Sequence, residues 1–196
     1  MKKKRMWISL VLIGIFLVIG VAFVATSRAG YETASYKVIE KDGSFEIRDY
    51  APHEVATTSM ASGSQNGSFG RLFRFISGGN EAQQKIAMTT PVFMPATADG
   101  TMEEMQFVVP AEISAGGTPA PTQESVSLRK NPGGKYAVIR HRGWGRAEER
   151  REKLEELREE LKKRGLKPKG DPIFAGYDPP WTPGFMRRNE VLIAIE

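Results

Sequence analysis

Apolar positions recur with two different periods along this chain. Around position 70, Phe69, Leu72, Phe73 and Ile76 fall at i, i+3, i+4 and i+7, the stripe of an amphipathic helix turned toward a core. Ser68 stands where it can cap the start. Gly78 and Gly79 follow the last periodic residue, where helices commonly end on a backbone conformation that glycine adopts cheaply. A second helix is predicted over residues 148–164, with Leu154, Leu157 and Leu161 on one side and charges elsewhere. Acid-first i, i+4 pairs such as Glu149 with Lys153, Glu159 with Lys163 and Glu160 with Arg164 support it, and Gly165 ends it. Its mixed-sign exterior reads as a solvated face and carries no function.

The remaining pattern is that of short strands. Residues 36–39 and 44–48 flank Lys41, Asp42 and Gly43, and Asp-Gly between β-type residues is a strong hairpin signal. Residues 53–60 continue as a strand, residues 85–92 read as an extended run bent by Pro91, and residues 105–109 form an apolar strand stopped by Pro110. Residues 114–124, rich in Gly, Pro, Thr and Ser, are an exposed connection. Residues 126–129 and 136–140 predict a further hairpin across 131–134. At the end of the chain a strand at 173–177 leads into a proline-constrained loop, and residues 190–195 close the domain. There Val191, Ile193 and Ile195 alternate with Leu192 and Ala194, so both faces are apolar and the strand is predicted to be covered on both sides. Short strands outnumbering two embedded helices indicate an α+β domain built on an antiparallel sheet.

Before residue 30 the character changes. Residues 7–24 carry no charge and follow a KKKR cluster, close to the roughly 20 apolar residues that cross a bilayer as a helix. This predicts a transmembrane signal anchor over residues 6–25, with the basic flank cytoplasmic and the domain on the periplasmic side of the inner membrane. Ala25, Thr26 and Ser27 keep signal-peptide cleavage, and hence secretion, as the alternative. The chain thus divides into 1–29, flank and anchor, and 30–196, a domain large enough to bury a core. The 40% hydrophobic and 26% charged content is that of a globular protein. Lys2, Lys3, Lys4, Arg5 and Arg28 account for the whole net charge of +5, so the domain itself is neutral and a nucleic-acid partner is not expected. With no cysteine in the chain, structural disulfides, zinc ribbons, thiol catalysis and a lipoprotein anchor are excluded by inventory.

The helix followed by GGN at 78–80, then KIAMTTPVFM from Lys85, and later AGYDPPWTPGFMRRNEV from Ala175, resemble the SOUL haem-binding protein family, two separated motifs in the right order. The resemblance spans most of residues 35–196. It implies a curved, barrel-like sheet with two packed helices and approximate internal twofold symmetry, and reversible binding of haem or a related tetrapyrrole. In some members it implies haem held in an apolar cleft without a firm axial bond.

His53 and His141 are the only histidines and neither sits in a ligand-spaced cluster, which argues against zinc. Haem needs only one axial imidazole, and His53 is the candidate metal ligand. Phe69, Phe73, Trp181 and Phe185 are candidate flat walls, although a stripe at helical spacing suits a core as well as a pocket. Trp181, between prolines in a loop, is harder to hide. Arg74, near the position where the family presents a cation, is the candidate for the haem carboxylates. Met88 reads as core filler, Lys85, Thr89 and Thr90 as structural, and Arg187, Arg188 and Glu190 as loop support. No G-x-S-x-G or nucleophile–base spacing is present, and no catalytic residue is singled out. The expected function is a membrane-tethered haem carrier or buffer. The rivals are a small-molecule hydrolase using acids such as Glu190 or Asp178, and an interaction domain without a ligand.

Overall fold

The computed structural model describes residues 30–60 and 65–196. The predicted anchor over 6–25 and its basic flank lie outside the described residues. Among the described residues, no helix is long and apolar enough to cross a membrane.

In chain order the elements are β1 (Glu32–Thr33), β2 (Tyr36–Asp42), β3 (Phe45–Tyr50), β4 (His53–Ser59), α1 (Gln65–Ile76), β5 (Thr89–Thr90), β6 (Val92–Pro95) and β7 (Glu104–Val108). They continue with α2 (Ala111–Gly116), β8 (Ser127–Asn131), β9 (Gly134–His141), α3 (Ala147–Arg164), β10 (Ile173–Gly176), a 3-10 turn (Gly184–Met186) and β11 (Asn189–Ala194). Among the described residues, nine strands form one antiparallel sheet in the order β2-β3-β9-β11-β10-β6-β7-β4-β8, and β1 pairs with β5 apart from it. The architecture is α+β, as predicted. The central, doubly covered place expected for the closing strand is also found, since β11 lies between β9 and β10 with Val191, Leu192 and Ile193 buried.

The predicted second hairpin does not form. β8 pairs with β4 and β9 with β3 and β11, so the two strands flanking residues 131–134 never meet. The reason is a shared corner. Tyr50 at the end of β3 is opposite Gly134, while His53 at the start of β4 is opposite Asn131, so the two connections run side by side. Because these strands lie toward opposite ends of the sheet order, the sheet curls to bring the two connections together there, a half-barrel. Gly133 makes the close approach possible: at φ +75°, any Cβ would lie 2.2 Å from the Tyr50 carbonyl oxygen.

Alternation along the strands gives each face its own core. One face, with Met94, Phe107, Ile139, Phe174, Val191 and Ile193, is covered by α1 and α3. The other carries Tyr50, Val55, Phe93, Val138, Tyr177 and Leu192. Helix α3 packs through Leu154, Leu157 and Leu161, as its spacing predicts, and ends on Gly165 in the left-handed region. Of the three acid-first pairs, Glu160–Arg164 forms at 3.0 Å. Glu149 instead accepts the Gly145 N–H and Lys163 turns to Glu160. The exposed connection after Pro110 opens with the short helix α2, which buries no residue.

Helix α1 is rotated from its predicted orientation. Its core face is Ser68, Leu72, Phe75 and Ile76, whereas Phe69 is 38% and Phe73 51% exposed. The positions 68, 72, 75 and 76 are themselves i, i+4, i+7 and i+8, an equally good stripe. Ser68 is not a cap: it lies inside the helix, fully buried, and its hydroxyl donates to the Ser59 carbonyl at 3.2 Å. This bond, with Arg71 Nε donating to Thr58 Oγ1 at 2.9 Å, ties the polar edge of the helix to β4 and turns the two phenylalanines away from the core.

Candidate functional site

The rotation of α1 opens a cleft of about 470 Å3 on the helical face of the sheet. Phe69 and Phe73 form one wall, their rings stacked at 5.9 Å with planes 15° apart, and Phe69 meets Phe107 edge-on at 5.2 Å. The floor is sheet: Val92 and Met94 of β6, Met105 of β7 and Phe174 of β10. The far wall comes from the end of β9 and its link into α3, with His141, Trp144, Gly145 and Arg150. Asp178, Pro180 and Arg187 of the loop after β10 close one end. Aromatic rings and thioethers at one side with cations at the other suit a flat apolar molecule that carries anionic groups at an edge.

Among the described residues, two arginines line the cleft, and both are held by backbone. Arg150 donates to the Gly145 carbonyl, lies 5.4 Å from the centre of the Phe174 ring, and keeps a buried Nε without a hydrogen-bond partner among the described residues. Burial pushes its pKa down. Arg187 donates from Nε to the Thr182 carbonyl at 2.8 Å and to the Pro180 carbonyl, and stacks 4.7 Å over the Trp144 ring. Trp144 packs so closely on Gly184 that a Cβ there would lie 2.8 Å from the indole nitrogen. The aromatic loop and the α3 link are therefore packed together as one wall.

Beneath that wall lies a charged network on the other face of the sheet. Arg48, fully buried, donates from Nη1 and Nη2 to the two carboxylate oxygens of Glu190 at 2.7 and 2.9 Å. Arg188 Nε and the Tyr177 hydroxyl donate to the same carboxylate, each at 2.8 Å. Arg48 Nε also reaches Glu46 at 2.7 Å, and the exposed Lys41 meets the same carboxylate at 3.1 Å, so each buried guanidinium has a carboxylate partner, the condition under which buried ions are tolerated. Burial alone would raise the Glu190 pKa, but the hydrogen bonds and charge of Arg48, then Arg188 and Tyr177, hold it below the usual carboxylate value. Burial, partly offset by Arg48, pushes the Tyr50 phenol up to about 12. Loop support from Arg188 and Glu190 was legible in the sequence; the partner Arg48, 142 positions away from Glu190, gave no signal beyond being a basic residue on an alternating strand.

The predicted site residues do not all converge. Phe69 and Phe73 line the cleft. Arg74, next along α1, is exposed and outside the lining. Trp181 and Phe185 are 68% and 71% exposed on the loop, flanking rather than lining the cleft. His53 sits elsewhere, beside Tyr50, Phe93, Gln106 and Asn131 in a space of about 10 Å3, room for about one water. Since Phe93 points there while Val92 and Met94 point into the cleft, the sheet separates His53 from the aromatic wall. The histidine that lines the cleft is His141, a position to which the sequence alone assigns no role.

Comparison with solved structures shows the fold. The chain is similar to the C-terminal domain of EcmrR (11% identity, 82% of this chain and 98% of that one, TM-score 0.60). It is also similar to a hydrolase from Listeria innocua (8% identity, 81% and 94%, TM-score 0.54) and to an uncharacterized conserved protein from the same organism (10% identity, 78% and 92%, TM-score 0.55). No curated protein sequence matches the chain. Residues 31–194 match the model of the SOUL heme-binding protein family, and the chain belongs to that family.

Proposed function

We propose that this protein binds haem or a related tetrapyrrole reversibly in the cleft between α1 and α3, as a carrier or buffer rather than a catalyst. The observation that carries the reading is the outward, stacked pair Phe69 and Phe73 beside a cleft of about 470 Å3, within the roughly 300–1,000 Å3 usual for ligand sites. The lining fits the group: phenyl rings, Met94 and Phe174 offer flat apolar contact, and Arg150 and Arg187 stand where haem carboxylates would be neutralised. Trp181 and Phe185 form a hydrophobic lip for entry, with Arg74 a further cation outside the lining. An open cleft whose walls stay half exposed favours exchange over permanent retention. Residues 6–25 would tether the domain to the inner membrane on its periplasmic side.

Glu190 argues against the hydrolase rival, since a carboxylate already accepting four hydrogen bonds has no lone pair left to serve as a base. The test is titration of the full chain in detergent micelles with hemin, followed by the Soret band. Saturable binding at micromolar protein is expected. Absence of saturation, together with failure to bind hydrophobic dyes, overturns the proposal.

A further inference from the structure

His141 ends β9 on the same face as Ala137 and Ile139, at the foot of α3, and its side chain lines the cleft. Its Nδ1 lies 2.9 Å from the carbonyl oxygen of Arg142. A carbonyl only accepts, so Nδ1 carries the proton, and in the neutral ring Nε2 then holds a lone pair. Metal-bound imidazoles are commonly set in this way: the second nitrogen donates to a backbone carbonyl, which fixes the tautomer and the ring plane and raises the basicity of the ligating atom. Burial, the largest influence, lowers the pKa of the ring, against the opposing hydrogen bond to the Arg142 carbonyl; Lys153 acts with burial, and Glu149 and Glu156 act against it.

The neighbourhood contains no competitor of the same kind. His53 is the chain's other histidine, and it lies across the sheet against a space too small for a macrocycle. The thioethers of Met94 and Met105 belong to the cleft floor, and Met94 already accepts a hydrogen bond from Gln65 at 3.5 Å. Imidazole is the stronger donor to ferric iron.

We propose that His141, through Nε2, is the residue that ligates the iron of a haem held in this cleft. The inference rests on the porphyrin reading of the cleft and is tested apart from it by comparing hemin with metal-free protoporphyrin IX. Both are titrated into the full chain and into its His141→Ala, His141→Asn and His53→Ala variants. Asparagine retains a donor for the Arg142 carbonyl but offers no imidazole nitrogen, so it separates ligation from local structure should the alanine variant fold poorly.

Both His141 variants are expected to lose the nitrogen-ligated Soret position and electron paramagnetic resonance signal, and to weaken hemin at least tenfold. Protoporphyrin IX affinity should stay within twofold, because the apolar contacts do not involve iron. Added imidazole should restore the spectrum of the His141 variants, and His53→Ala should match the parent. Unchanged hemin spectra in His141→Asn overturn the assignment while leaving the porphyrin reading intact. If the parent chain binds neither hemin nor protoporphyrin IX, the porphyrin reading itself falls and takes this assignment with it.

Discussion

Phe73 and Phe75 stand two residues apart on one helix, and replacing each by alanine should have opposite consequences. Phe75 is fully buried under the sheet's helical face, whereas Phe73 is 51% exposed at the cleft. Truncating a buried phenylalanine costs about 3–5 kcal/mol, which in a domain of this size lowers the melting temperature by roughly 6 to 20 °C. Phe75→Ala should show that loss. Phe73 has about half its surface left to bury, so a porphyrin laid on it gains about half of the ~1.5–3 kcal/mol for covering such a side chain. Stacking adds about 0.5–1.5 kcal/mol, for a total of about 1.3–3 kcal/mol, or roughly eight- to 140-fold in hemin affinity. Phe73→Ala should therefore weaken hemin by about that factor while moving the urea midpoint little. Circular dichroism during urea unfolding and hemin titration by the Soret band, on the same preparations, measure both quantities. A Phe73→Ala protein as unstable as Phe75→Ala, or one that binds hemin like the parent, would refute the assignment of the two faces.

Removing the charge of Glu190 by Glu190→Gln leaves Arg48 and Arg188 without their shared counterion, and should cost about 3–5 kcal/mol of unfolding free energy by urea titration at neutral pH. Because the Glu190 pKa is held below its ordinary value, its contribution is complete above about pH 4.5 and is lost as pH falls through the depressed value, so acid should destabilise the parent more steeply than Glu190→Gln. At the corner, Gly133→Ala forces both a positive φ and a Cβ 2.2 Å from the Tyr50 carbonyl, and calorimetry should show a loss of at least about 2 kcal/mol. Arg150→Met keeps the side chain's bulk and removes its charge. It should weaken hemin about tenfold and haem dimethyl ester much less, and equal losses for the two ligands would argue against a carboxylate contact.

Where one period was decisive, the sequence was enough. Leu154, Leu157 and Leu161 admit a single helical face, and the doubly apolar run ending in Ile195 admits only a covered strand. Around position 70 two stripes overlap, one through Phe69 and Phe73 and one through Phe75, and hydrophobicity alone cannot rank them. Ser68 decides the matter through its hydrogen bond to the Ser59 carbonyl, a tertiary contact with no local signature. The missing hairpin has the same origin: turn residues at 131–134 announce a reversal but not which strands it will separate. The candidate site was legible as far as the aromatic pair on α1 and the exposed tryptophan loop. Arg150, Arg187 and His141 joined it only through folding, since a charged helix and a strand end look like ordinary surface until the sheet's curl places them opposite α1.

The corner shared by residues 50–53 and 131–134 also locks the spacing of the chain. Side chains reverse direction at every residue of a strand, so lengthening either link by a single amino acid would turn one strand inside out while its partner stayed in place. Tolerated insertions should accordingly gather in the long surface stretch after α2, and the two short links should keep matched lengths.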